Sequence, residues 1–307
     1  MKIILDCDPG HDDALAIMLA LSSPELEVLG ITVTYGNVGL ENTLRNALKI
    51  RELCGSNVPV YAGVPLPLVS SRISAEFVHG RSGLDGPELP EPKRGAEETR
   101  GVDFIINSIL AHPHEVTLCP VGPMTNVALA MRLEPKIVPL IKQIVLMGGS
   151  TGLGNWSPAA EFNILCDPHA AKIVFESGCD LMMFGLNVTH QALALPQHIE
   201  AIRANGNKTS LVAAELLEFF KVAYAKRYGY AGPALHDPCV IAYLLKPELF
   251  TTEFLHVVVD DSSGASFGRT VVDVYSVTQH KANTAVAMTV DADGYFALLA
   301  ERLALLP

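Results

Sequence analysis

The chain has 307 residues, 49% of them hydrophobic and 18% charged, with a formal net charge of −11 at pH 7. So acidic a balance argues against a nucleic-acid groove, which needs clustered Lys and Arg, and against an anionic membrane surface. No apolar run approaches a membrane span, no h-region precedes the first strand, and the six cysteines form no C-x-x-C pair, so free thiols in the cytoplasm are expected.

Residues 2–7 read as a short, fully buried strand of a parallel sheet. Four aspartates, Asp6, Asp8, Asp12 and Asp13, crowd its end around the Pro9-Gly10 turn. Asp12 or Asp13 falls at the expected N-cap of a helix carrying Ala14, Ile17, Met18 and Leu21 at helical spacing. Like charges this close are costly to fold unless a cation or bound hydroxyls offset them. An all-oxygen set suits Ca²⁺ or Mg²⁺ better than zinc, and the spacing lacks the Gly and the bidentate Glu of an EF-hand loop.

A second buried strand, 28–34, ends at Tyr35-Gly36-Asn37; a helix through Leu44 and Leu53 and a strand at 58–62 follow. Residues 63–100 lose periodicity and are dense in Pro and Gly, as in functional or mobile loops. Their His79-Gly80-Arg81-Ser82-Gly83 segment is a candidate lid with glycine hinges, the alternative being a plain surface excursion. Then come a helix at 102–111, a strand at 116–121, a turn at 122–126 into another helix, and a strand at 144–147 closed by Gly148-Gly149. A polar segment with Asn155, Glu161 and Asn163 leads to a helix starting at Asp167-Pro168, and 181–186 is again a strand. Residues 197–226 are mainly helical, with Tyr224, Tyr228 and Tyr230 near or just past their end, and His236-Asp237-Pro238 opens the next helix. Strands at 254–259, 270–275 and 285–290 and a helix at 294–305 complete the chain. This alternation predicts one α/β domain over 1–307, Rossmann-like, its mixed, mostly parallel sheet flanked by helices.

Asp6, Asp8, Asp12, Asp13, Asn37, the turn after Val121, Asn155, Glu161, Asn163 and His236-Asp237 all follow predicted strands or begin helices. In a parallel sheet they share one edge, the C-terminal ends of the strands, where such folds bind ligands. Carboxylates and amides with few basic residues suit a neutral polyol better than a phosphate. There is no G-x-S-x-G elbow, Walker loop or dinucleotide fingerprint. A cation beside a sugar suggests hydrolysis at an anomeric carbon, whose oxocarbenium-like transition state carboxylates stabilise. The metal would acidify a water, an Asp would take its proton, and a His would assist the leaving group.

These residues resemble the nucleoside hydrolases, the inosine-uridine type that cleave the N-glycosidic bond of ribonucleosides. Asp6-Cys7-Asp8-Pro9-Gly10-His11-Asp12-Asp13 matches the N-terminal signature of that family. Pro120 to Asn126, Met147-Gly148-Gly149, Ala160-Glu161-Phe162-Asn163 and His236-Asp237-Pro238 match later blocks in order. The resemblance implies a Ca²⁺ site from Asp8, Asp13, Asp237 and the Val121 carbonyl, with Asp8 activating a metal-bound water and Asp6 supporting from behind. It implies ribose binding by Asp12, Asn37, Asn155, Glu161 and Asn163, leaving-group assistance by His236, and His79 and Tyr228 near the base. It further implies a pyrimidine or mixed preference, a role in nucleoside salvage and a homotetramer. Arg81 stands in a block where the family often carries Glu, and Asn187 where Asp is frequent. The remaining histidines, and Tyr224 and Tyr230, read as structural or packing residues.

The same residues leave two rival readings open. A non-catalytic Ca²⁺-dependent nucleoside- or ribose-binding module would keep the metal ligands without a use for His236. A D-x-D phosphotransferase is suggested by Asp6-Cys7-Asp8, but Pro9-Gly10 and the lack of a basic phosphate cradle argue against it.

Overall fold

The structure is a computed structural model and describes residues 1–307. Ten strands form: β1 (Lys2–Cys7), β2 (Glu27–Val33), β3 (Val60–Ala62), β4 (Val116–Pro120), β5 (Gln143–Met147), β6 (Leu181–Phe184), β7 (Phe250–Leu255), β8 (Val257–Val259), β9 (Thr270–Val272) and β10 (Thr284–Val290). Eight build one sheet in the order β3-β2-β1-β4-β5-β6-β10-β7, and β8 and β9 form a separate antiparallel pair. Every pairing in the large sheet is parallel except β10 with β7. The expected mixed, mostly parallel sheet is therefore the observed one.

The continuous apolar run of β1 follows from its central place. Ile3, Leu5 and Cys7 belong to one apolar layer with helix His11–Leu21, while Ile4 faces the other layer with helix Gly101–Ala111. A strand covered on both faces has no solvent side, so alternation disappears from its sequence. Register sets Asp6 opposite Thr32 of β2 and Pro120 of β4, so the three central strands end together.

Several local expectations are corrected. The first helix is capped at Gly10, not at Asp12 or Asp13, which lie in its first turn. Asp13 reaches back instead, its Oδ2 accepting the Gly10 N–H at 2.9 Å and its Oδ1 that of Asp8 at 3.1 Å. Only glycine fits at position 10, because a Cβ there would lie 2.6 Å from His79 Nδ1 and 2.8 Å from Asn37 Nδ2. The helical stretch at 197–226 is two helices, Pro196–Arg203 and Lys208–Tyr228, the second capped by Asn207 and closed by left-handed Gly229. The strand at 254–259 is broken between β7 and β8, and the one expected at 270–275 stops at Val272. The 63–100 segment is coil apart from one turn of helix, Glu76–His79, and a bridge from Glu97 to Tyr61. No helix is long and apolar enough to cross a membrane.

Candidate active site

The strand ends converge on one cleft. It is lined by Asp12, Asn37, His79, Val121, Asn155, Glu161, Asn163, Tyr228, His236 and Asp237, all expected from sequence, together with Phe77, Trp156, Phe162, Phe220, Tyr224 and Arg227. Asp8 and Asp13 are buried behind Asn37, whose amide Nδ2 donates to Asp8 O at 3.0 Å and to Asp13 Oδ2 at 3.1 Å. The Asn37 backbone N–H donates to Asp8 Oδ2 at 2.6 Å.

Carboxylate oxygens of Asp12, Asp13 and Asp237 lie within 4.8 Å of one another. Asp237 arrives from the other end of the chain. It occupies the N-cap of helix Pro238–Leu245 with Pro238 at the first helical position, yet its side chain makes no capping bond. The carboxylate the sequence marked as a helix cap is thus turned toward the other acids. Asp8 stands apart from that group of three: its second oxygen, Oδ1, is buried with no hydrogen-bond partner. That oxygen lies where a Cβ on residue 122 would be 2.2 Å away, so Gly122 makes room for it.

Burial, then mutual repulsion, raises the Asp8 and Asp237 pKa values well above the carboxylate range. Burial, with Asp13 beside it, pushes Asp12 up to about 7; burial pushes Asp13 up to about 6 against several hydrogen bonds. Four buried acids without a basic partner, one oxygen unpaired and one N-cap unused, fit a hard divalent cation such as Ca²⁺. The Val121 carbonyl accepts the Asn163 amide at 2.8 Å and keeps a second lone pair for such an ion. Behind the cluster, Asp6 Oδ1 accepts from Thr32 Oγ1 at 2.5 Å and from Asn126 Nδ2 at 2.8 Å, and burial lifts its pKa to about 7.

On the polar wall, Glu161 caps helix Phe162–Cys166. Its carboxylate accepts the N–H groups of Asn163 (2.8 Å), Ile164 (3.1 Å) and Gly149 (2.9 Å), and burial raises its pKa to about 7. Asn155 Oδ1 accepts the Phe162 N–H at 2.9 Å. Capping and pocket lining coexist in Glu161.

The aromatic wall is built around His236. Its Nε2 is 2.5 Å from Tyr224 Oη and its Nδ1 2.7 Å from Thr189 Oγ1. Burial, reinforced by His190, drops its pKa well below the imidazole range, so the ring is neutral near pH 7. His79 is buried too; its Nδ1 accepts the His11 backbone N–H at 3.2 Å and lies 3.1 Å from His11 Nδ1. Tyr228 stacks on Tyr230, with ring centroids 5.2 Å apart. Arg227 bonds the Asn155 carbonyl and lies 5.4 Å from the Phe77 ring centre, so the helix, the 63–100 loop and the polar wall meet at the mouth.

The model of the inosine-uridine preferring nucleoside hydrolases matches residues 3–297. The chain belongs to this family. It is 49% identical over 307 residues to a pyrimidine-specific ribonucleoside hydrolase RihA of Citrobacter koseri, covering 99% of this chain and 98% of that one. It is 50% identical over 306 residues to the protein of that name in Salmonella arizonae, with the same coverage. Among solved structures, a purine-preferring ribonucleoside hydrolase from Gardnerella vaginalis superposes with TM-score 0.92 at 38% identity, over 99% of this chain and 98% of that one. This nucleoside hydrolase is accordingly an enzyme acting on N-glycosyl compounds.

Tyr224, a packing residue by the sequence, is instead the hydroxyl partner of His236 inside the cleft. The available signal was its i, i+4 spacing to Tyr228, which puts both phenols on one helix face. Phe77, Trp156, Phe162 and Arg227 carried no such signal.

Proposed function

We propose that this chain is a Ca²⁺-dependent hydrolase of ribonucleosides with a pyrimidine preference, acting in cytoplasmic nucleoside salvage. One observation carries the reading: a cleft floored by buried aspartates without a basic partner and walled by sugar-compatible amides and carboxylates beside a His–Tyr pair. The two relatives near 50% identity, both named pyrimidine-specific, support the base preference. Six unpaired cysteines support a reducing compartment.

Asp8, Asp13, Asp237 and the Val121 carbonyl would hold the ion. A bound Ca²⁺ would neutralise the acids and lower the pKa of a water. Asp8 takes the proton of the attacking water, Oδ1 having a free lone pair. Asp12, Asn37, Asn155, Glu161 and Asn163 orient the ribose, and the surrounding carboxylates stabilise positive charge developing at the anomeric carbon. His79 and Tyr228 flank the base. Neutral His236 does not act as an imidazolium reservoir; with Tyr224 it forms a hydrogen-bonded pair that supplies a proton to the departing base.

The test is free-base release from uridine, cytidine, inosine and adenosine without phosphate, with and without a chelator. Uridine and cytidine are expected to react fastest and chelation to abolish turnover. A strict requirement for phosphate, or intact recovery of a nucleoside shown to bind, overturns the proposal.

A further inference from the structure

The small β8–β9 sheet lies outside the large one and contributes no side chain to the cleft, yet one of its residues grips the polar wall. Thr270, the first residue of β9, is 3% exposed. Its hydroxyl engages both backbone groups of Ser150, accepting the N–H and donating to the C=O, each at 2.8 Å. Its methyl closes against Gly149, where a Cβ would lie 2.6 Å from Thr270 Cγ2. Gly149 adopts φ +75°, a left-handed turn. The Gly149 carbonyl is held from the other side by the Leu186 N–H at 2.9 Å. Peptide planes following the left-handed residue are thus pinned, and the N–H of that residue is one of the three holding the Glu161 carboxylate.

We propose that Thr270 is a positioning residue for the sugar wall: through Gly149 it sets where the Glu161 carboxylate sits. The inference rests on the reading that Glu161 holds ribose. A hydroxyl that donates and accepts at once cannot be replaced by a methyl, so Thr270→Val removes both bonds at nearly constant volume. The displaced carboxylate would weaken ground-state and transition-state contacts alike, so the loss appears in KM.

The experiment is steady-state uridine hydrolysis by Thr270→Val, Thr270→Ser, Glu161→Gln and the Val/Gln double variant, with thermal unfolding of each. Thr270→Val is expected to raise KM about tenfold with kcat changed less than about threefold, and Thr270→Ser to restore KM. In the Glu161→Gln background Thr270→Val should add little, since the two act as one unit. Should the Val variant fail to fold, Thr270→Ala carries the same expectations. Wild-type KM in Thr270→Val beside an impaired Glu161→Gln overturns this inference alone. Additive effects, or Ser as impaired as Val, overturn it too. An unimpaired Glu161→Gln overturns the sugar-wall reading along with it.

Discussion

If the buried acids hold a divalent cation, as proposed, its removal should destabilise this protein in a way that depends on pH. Burial lifts the Asp13 pKa from 3.8 to about 6 and, with Asp13 beside it, that of Asp12 to about 7. Between an unfolded value near 4 and these folded values the native chain binds more protons than the unfolded chain, so stability of the cation-free form falls as pH rises. This contribution is fully present below about pH 4 and is lost by about pH 7. At about 1.4 kcal/mol per pH unit, Asp13 alone costs the folded state about 3 kcal/mol once ionised in both states. Asp12 lies against Asp13 in the same buried group and does not titrate independently of it, so its cost is not added. With an unfolding entropy of about 2.1 cal/mol/K per residue, a chain of 307 residues converts 3 kcal/mol into about 5 °C of melting temperature. A cation that fixes the acids as anions removes this penalty. About half of that penalty is already present at pH 5, so thermal melts in EDTA and in saturating CaCl₂, at about pH 5 and about pH 8, should show a calcium-induced rise larger at the higher pH by about 2 °C. An equal rise at both pH values, or none, would refute the claim that these carboxylates are held for an ion.

Three further outcomes follow from the cleft. Asp8→Asn keeps the shape but removes a base and a charge, and should lower kcat about a thousandfold or more in single-turnover uridine hydrolysis. Tyr224→Phe deletes the hydroxyl 2.5 Å from His236. It should slow natural nucleosides about a hundredfold while sparing a nitrophenyl riboside, whose leaving group needs no proton; equal slowing of both would exclude a leaving-group role. Gly122→Ala brings a methyl 2.2 Å from Asp8 Oδ1, so the carboxylate must move and kcat should fall about tenfold or more, read by the same assay.

The acidic turn was legible because its residues are neighbours in the chain and sit at the end of a strand whose apolar run announced a parallel sheet. Asp237 was legible only through the family block His236-Asp237-Pro238, since its own pairing with Pro238 advertised a helix cap, whereas the side chain faces Asp12 and Asp13. The N-cap of the first helix was misplaced because an aspartate is the commoner cap, whereas here a close approach to His79 and Asn37 demands glycine. What stayed hidden was pairing between distant uncharged groups. Tyr224 with His236, Thr270 with Ser150 and His11 with His79 involve residue types that pack in any core, and nothing in their spacing reveals that the fold brings them together.

The placement of β10 bears on how the chain is made. It lies between β6, about a hundred residues earlier, and β7, and pairs with both. A growing polypeptide that has not yet delivered residues 284–290 leaves Leu181-Met182-Met183-Phe184 with an unpaired apolar edge, the kind that recruits foreign strands. Residues 284–290 must therefore be made before that edge can be shielded, and a chain cut short ahead of Thr284 is expected to aggregate rather than to fold into a weakened enzyme.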